Sequence, residues 1–237
     1  METNGLLASP ESTTDRLFIE YGAGRAGLSS YIADRLKSIP DKPNSNFKFI
    51  IVDRDTRRRK LDKNFRDEYV TMREKMDISD FNVEKFIQVQ KQAEVIQKEA
   101  DVICIAKHLC GGATDLSLTS LLQRQKDNLV RGVAIATCCH HQCDLKTFCN
   151  LEFLKTEGSF TQDELQMLPR FTSWAITAGQ TSIKKKIIGF KAKRILDYAR
   201  TQFIKDCLPD LSVGAQMYCD PITESPECTL IVAWEKK

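Results

Sequence analysis

Between Leu17 and Lys37 the chain runs through an apolar strand-length segment, a glycine turn and a helical stretch, and this constrains the fold more than any other feature. Leu17-Phe18-Ile19-Glu20-Tyr21 reads as a strand, Gly22 to Gly27 as the turn, and Leu28 to Lys37 as a helix that ends before Pro40. Gly22-Ala23-Gly24-Arg25-Ala26-Gly27 matches G-x-G-x-x-G, in which the glycines permit a tight turn and close approach of a ligand to the backbone.

Further strand and helix segments follow the turn. Phe47 to Val52 is an apolar run ending on Asp53, and Val83 to Ala100 carries Val83, Phe86, Ile87, Val95 and Ile96 among polar residues, as a surface helix would. Val102 to Ala106 and Gly132 to Thr137 are further strands, separated by a short helix after Gly112 with Leu116, Leu118, Leu121 and Leu122. The strands are nearly continuous in apolar residues, the pattern of a parallel sheet covered on both faces. Strand alternating with helix defines an α/β, doubly wound, Rossmann-like fold. Thr181 to Cys207 reads as one long helix interrupted only by Gly189. Val213 to Cys219 and Thr229 to Trp234 then arrive without a helix between them and pair antiparallel. A mostly parallel sheet closing on such a hairpin fits the class I methyltransferase architecture better than a plain dinucleotide fold. Residues 1–15 lack periodicity and read as a disordered tail or linker remnant, which leaves 16–237 as one domain.

Composition enters by exclusion. Apolar residues at 42% and charged residues at 28% rule out disordered and disulfide-scaffold chains. Nine cysteines without framework spacing, and apolar runs no longer than a strand, point to a reduced chain without membrane spans, in the cytoplasm or nucleus. A net charge of +3 means that any nucleic-acid footprint must come from clustering.

Several residues around the turn are cofactor candidates. A dinucleotide would set its pyrophosphate at the helix N-terminus. Glu20, two residues before Gly22, would repel a pyrophosphate but attract the amino group of a methionine tail, so S-adenosylmethionine is the expected cofactor, packed on Gly22, Ala23, Gly24 and Gly27. Asp53, closing the second strand, is placed for the ribose hydroxyls, and Asp77, at the end of a further strand, for the adenine edge.

All three histidines lie in two polar segments at strand ends, 106–116 and 136–144. His108, His140, His141 and Asp115 are candidate bases for deprotonating an acceptor. His108 is preferred, because the segment after the fourth strand commonly faces the transferring methyl in this fold class. Lys107 is placed both to contact the cofactor and to stabilise developing negative charge. Cys138, Cys139, His140, His141, Cys143 and Cys149 are ligand types for zinc, which prefers paired ligands from two separated places. Here they crowd into one stretch, and Cys110 or Cys104 would join them only through the fold. No metal is assigned from the sequence.

Two basic runs supply the clustering that the net charge lacks. The first holds Arg57, Arg58, Arg59 and Lys60; the second holds Lys184, Lys185, Lys186, Lys193, Arg194 and Arg200 on the long helix. Both are expected to contact RNA phosphates.

At several blocks the sequence resembles the eukaryotic tRNA 2′-O-ribose methyltransferases that modify nucleotide four of the acceptor stem. The first blocks are Glu20-Tyr21-Gly22-Ala23-Gly24, Ala106-Lys107-His108-Leu109-Cys110-Gly111 and Ala113-Thr114-Asp115-Leu116. Ala136-Thr137-Cys138-Cys139-His140-His141 and Cys143-Asp144 follow, then Ser173-Trp174-Ala175, Ile188 to Arg194, Asp197 and Arg200. The resemblance implies methyl transfer from S-adenosylmethionine to a ribose 2′-hydroxyl, with the tRNA acceptor stem as partner. Leu145 stands where the family carries an aromatic residue. The competing readings are a catalytically inactive RNA- or protein-binding module on the same fold and a nicotinamide-dependent oxidoreductase, which Glu20 and the terminal hairpin disfavour.

Overall fold

The computed structural model describes residues 6, 14–38, 47–55, 68–96, 100–122, 129–177 and 182–235. Seven strands form one sheet: β1 (Asp15–Tyr21), β2 (Phe47–Val52), β3 (Val70–Glu74), β4 (Ala100–Cys110), β5 (Val130–Cys138), β6 (Leu211–Met217) and β7 (Thr229–Glu235). Their order is β3-β2-β1-β4-β5-β7-β6. The pairs from β3 through β5 are parallel, and β7 lies antiparallel between β5 and β6. This is a class I methyltransferase sheet, with the expected antiparallel closure. Strand order reverses between β1 and β4, so the loops leaving these two strands flank a crevice at their carboxyl ends.

The helices are α1 (Gly27–Lys37), α2 (Val83–Gln92), α3 (Gly112–Leu122), α4 (Leu151–Thr156), α5 (Gln162–Ile176) and α6 (Ile183–Cys207). Alternate residues of β1 feed two cores. Leu17, Ile19 and Tyr21 join Val83, Ile87, Leu118, Leu121, Phe203 and Ile204 on one face. Phe18 joins Ile32, Ala33 and Leu36 of α1 on the other. A third cluster packs α4, α5 and α6 together through Leu154, Leu165, Leu168, Leu196 and Ala199.

Some boundaries differ from expectation. The first strand begins at Asp15, within the stretch read as a tail, because Asp15 is buried and paired with Lys48 of β2 while Arg16 is paired with Asp101 of β4 (3.2 Å). Leu6 is buried as well. The helix expected to reach Ala100 stops at Gln92. Glu94 turns left-handed (φ 58°), and the N–H of Val95 donates back to Gln90 O (3.0 Å). Gly189 does not interrupt α6, which runs unbroken for 25 residues. The glycine instead lets α6 approach α5, since a Cβ there would lie 2.4 Å from the backbone N of Ala175. Helix α5 was not foreseen, although Thr161 and Glu164 form a reciprocal capping box at its start. No helix among the described residues is long and apolar enough to cross a membrane.

Candidate active site

The turn after β1 is shaped by its backbone. Gly22 and Gly24 have φ of 60° and 54°, and a Cβ on Gly22 would lie 2.6 Å from Leu109 Cδ1, so glycine there lets the turn pack on the end of β4. Gly24 has open space on its Cβ side. Its N–H donates to Asp53 Oδ2 (2.7 Å), and the N–H of Asp55 donates to Asp53 Oδ1 (2.7 Å). The Asp53 carboxylate thus holds the turn, and each of its oxygens keeps further acceptor capacity.

A cleft of about 470 Å³ opens at this point, lined by Gly22, Asp53, Arg54, Asp55, Met76, Asp77, Ile78, His108, Leu109, Cys110, Ala113, Leu116 and Gln142. That size falls in the range of about 300–1,000 Å³ typical of small-molecule sites. Asp77 caps a short 3₁₀ turn, Ile78–Asp80, and accepts from Ser79 N (3.1 Å) and Oγ (3.0 Å). These bonds hold its carboxyl below the usual range. His108 sits at an irregularity in the β4–β5 pairing between Lys107 and Leu109, with φ of 60°, and is exposed. A bulge of this kind re-aims a side chain at a strand end.

Gly22, Asp53, Asp77 and His108 therefore meet in one cleft. Other predicted residues are placed elsewhere. Glu20 is buried, and its carboxylate accepts from Ser29 N (3.0 Å) and Oγ (2.5 Å) at the start of α1. It braces the helix rather than lining the cleft. Burial pushes its carboxyl up to about 7, against the opposing pull of the Ser29 hydrogen bonds. Ala23 is buried and its N–H donates to Val52 O (3.3 Å), and Gly27 is exposed at the start of α1; neither lines the cleft. Lys107 is exposed at the end of β4 without forming part of the cleft wall.

Asp115 and His140 are structural in position. Asp115 is fully buried and receives Arg200 through two bonds, Nε to Oδ1 (3.0 Å) and Nη2 to Oδ2 (2.8 Å). Arg200 also reaches Asp197 Oδ1 (3.2 Å), which lies 2.8 Å from His140 Nε2. Burial alone would raise the Asp197 carboxyl, but His140 and Arg200 outweigh it and hold it below the usual range. His140 is itself buried, whereas His141 is exposed.

The basic run on α6 divides in the same way. Lys184, Lys185 and Arg194 are exposed and Lys186 is half-buried, with Lys185 Nζ standing 5.5 Å from the centre of the Trp174 ring. Lys193 and Arg200 do not belong to that face. Lys193 is buried, and its ammonium donates to Glu227 Oε2 and Pro226 O (2.6 Å each). Arg57, Arg58, Arg59 and Lys60 lie outside the described residues. A second groove, about 860 Å³, runs past Phe153, Arg194, Tyr198 and Met217, and no predicted cofactor residue lines it.

Sequence reasoning did not single out Met76, Ile78, Cys110 or Gln142 as cleft residues. Met76 and Ile78 flank Asp77 directly, which is the one signal that pointed to them. Gln142 arrives through the turn after β5, whose position no local pattern reveals.

The sheet order is that of the class I methyltransferase fold, and the cleft opens at the carboxyl ends of its strands. The family model described as "Methyltransferase TRM13" matches residues 1–186, and the chain belongs to that family. Among curated relatives, "tRNA:m(4)X modification enzyme TRM13" of Vanderwaltozyma polyspora is 28% identical, over 92% of this chain and 56% of that protein. The protein of the same name from Kluyveromyces lactis is 32% identical, over 79% of this chain and 50% of the relative. The chain thus spans about half the length of these relatives. A solved structure titled as a putative S-adenosylmethionine dependent methyltransferase from Listeria monocytogenes superposes with a TM-score of 0.40 at 9% identity, over 100% of this chain and 96% of that one.

Proposed function

We propose that this domain acts inside the cell, moving a methyl group from S-adenosylmethionine to the ribose 2′-hydroxyl of nucleotide 4 in a tRNA acceptor stem. The observation that carries this reading is the cleft in which Gly22, Asp53 and Asp77 stand with His108. The residues fit an adenosine-bearing ligand. Asp53 retains acceptor capacity for two vicinal hydroxyls, Met76 and Ile78 offer apolar surface to a base, and ionised Asp77 accepts from an exocyclic amine. The space beside Gly24 leaves the turn accessible to a ligand.

The sulfonium of the cofactor supplies an activated methyl group when bound. The protein's part is then alignment and proton removal. His108, exposed on the cleft wall, accepts the proton of the ribose hydroxyl. An acceptor stem is A-form, so recognition rests on shape, phosphates and hydroxyls. Lys184, Lys185, Lys186 and Arg194 offer exposed or half-exposed cations for the phosphates.

The test is incubation with labelled cofactor and unmodified tRNA, followed by mapping of the methylated nucleotide. Label confined to the ribose of nucleotide 4 supports the proposal. Label on a base, label at another nucleotide or tRNA binding without turnover overturns it.

A further inference from the structure

The geometry points to a binding site for a soft divalent cation, zinc above all, built by Cys110, Cys138 and Cys139 at the rim of the cleft. Their three Sγ atoms all lie within 4.8 Å of one another. Cys110 and Cys138 are paired residues at the ends of β4 and β5, with Sγ atoms 3.6 Å apart. Tetrahedral zinc holds thiolates at about 2.3 Å. Simple geometry then separates two sulfurs by about 3.8 Å, close to the spacing already present.

Cys138 and Cys139 are consecutive, and in a continuing strand their side chains would point to opposite faces. Cys139 instead leaves β5 in a left-handed conformation (φ 49°), which lets both sulfurs serve one point. A non-glycine residue persists in this region where surrounding contacts enforce it. Those contacts are present. Cys139 N–H donates to Glu227 Oε1 (3.2 Å), Gly111 N–H to Cys138 O (3.1 Å) and Gln142 N–H to Cys139 O (2.8 Å).

Two other ligand types in the 138–143 run are held elsewhere, while His141 is exposed. His140 Nε2 is held by Asp197, and Cys143 Sγ receives Arg200 Nη2 (3.1 Å). The third sulfur comes from β4, a ligand that sequence spacing does not reveal. Thiolate is the ligand form, so the cation would displace protons from the thiols as it binds. Cys110 is exposed and forms part of the cleft wall, so a cation can reach the cluster from that side.

The experiment uses the whole reduced chain, stripped with a chelator and titrated with Co²⁺ alone. One equivalent should produce a thiolate-to-cobalt charge-transfer band with the visible bands of tetrahedral cobalt, and Zn²⁺ should remove both. Cys110→Ser/Cys139→Ser should abolish the bands and Cys207→Ser should keep them. Because a serine variant can fail to fold, the unsubstituted protein provides a second readout by thiol alkylation. Zn²⁺ at ten times its dissociation constant should slow alkylation of Cys110 and Cys139 by about tenfold, and that of Cys207 not at all. No band at one equivalent, a band that survives the double variant, or unprotected Cys110 and Cys139 would each overturn the site. None of these readouts depends on methyl transfer.

Discussion

Arg200 and Asp115, far apart in sequence, meet in a two-bonded ion pair with both side chains fully buried. The pair joins α6 to the start of α3, directly behind the loop that leaves β4. Arg200 Nη1 also holds Asp197, and Asp197 holds His140, so one guanidinium anchors a charged chain beneath the rim of the cleft.

Removing that cation takes away the group bound to both oxygens of buried Asp115 and leaves Asp197 with His140 and Thr137. Arg200→Met is expected to cost about 3–5 kcal/mol of folding stability, the usual penalty for breaking a buried pair from one side. Urea unfolding followed by far-UV dichroism measures it. A loss below about 1 kcal/mol would show that Asp115 and Asp197 are rescued by other groups.

His108 is proposed as the base, and its left-handed backbone restricts the useful substitution. Asparagine tolerates that conformation, so His108→Asn tests chemistry without refolding the bulge. Methyl transfer should fall by roughly 10²–10⁴-fold with cofactor affinity nearly unchanged. Single-turnover rates and calorimetry separate the two effects, and unaltered turnover would remove His108 from the mechanism.

Asp53 ties the Gly24 amide and is assigned to the ribose hydroxyls. Asp53→Ala should weaken S-adenosylmethionine binding by about 1.5–3 kcal/mol, roughly 10- to 150-fold, as expected for loss of charged hydrogen bonds. Calorimetric titration with the cofactor, with NAD in parallel, is the check. Preferential binding of NAD by the unsubstituted chain would reassign the cleft.

Glu20 makes stability depend on pH in a definite direction. Its folded pKa, about 7, lies above the ordinary value of 4.5, so the folded chain binds the proton more tightly than the unfolded chain. The contribution is complete below about pH 4.5 and is lost as pH rises through 7, a fall of up to roughly 3 kcal/mol. Glu20→Gln keeps an acceptor for Ser29 and removes the titration. The stability difference between Glu20→Gln and the unsubstituted protein should therefore shift in favour of the variant between pH 4.5 and 7. A pH-independent difference in urea midpoints would contradict the assignment.

The lysines of α6 separate by burial. Replacing Lys184, Lys185 and Lys186 with alanine should weaken tRNA binding and reduce the slope of log affinity against log salt by roughly 2–3, if each meets a phosphate. Lys193→Ala should lower stability instead and leave the slope alone, because its ammonium is enclosed by Glu227 and Pro226. Filter binding across a salt series distinguishes the two outcomes.

The parallel strands were legible because burial on both faces demands near-continuous apolar runs, as in Phe18-Ile19 and Val102 to Ala106. The edge strand β3 was legible only through Asp77 beyond its end, since Val70–Glu74 is half-exposed and mostly polar. Helix α5 carried a readable signal in Thr161 and Glu164. Lys193, Asp197 and Arg200 were harder to interpret, because a charged side chain advertises solvent. Their spacing on one helix, together with buried Gly189, Ala192, Leu196 and Ile204, is the trace of a buried stripe that runs through charged positions.

The amino-acid order by itself determined the α/β class, the turn at Gly22–Gly27 and the acids beyond the strands. Each of these follows from local periodicity or from the backbone needs of a few consecutive residues. Only the tertiary structure decided that Asp115 and His140 brace the scaffold while His108 faces the cleft, that Glu20 supports α1, and that Cys110 joins Cys138 and Cys139. Those assignments depend on which partner occupies the space opposite a side chain. Chain segments distant in sequence supply that partner only after the sheet has closed.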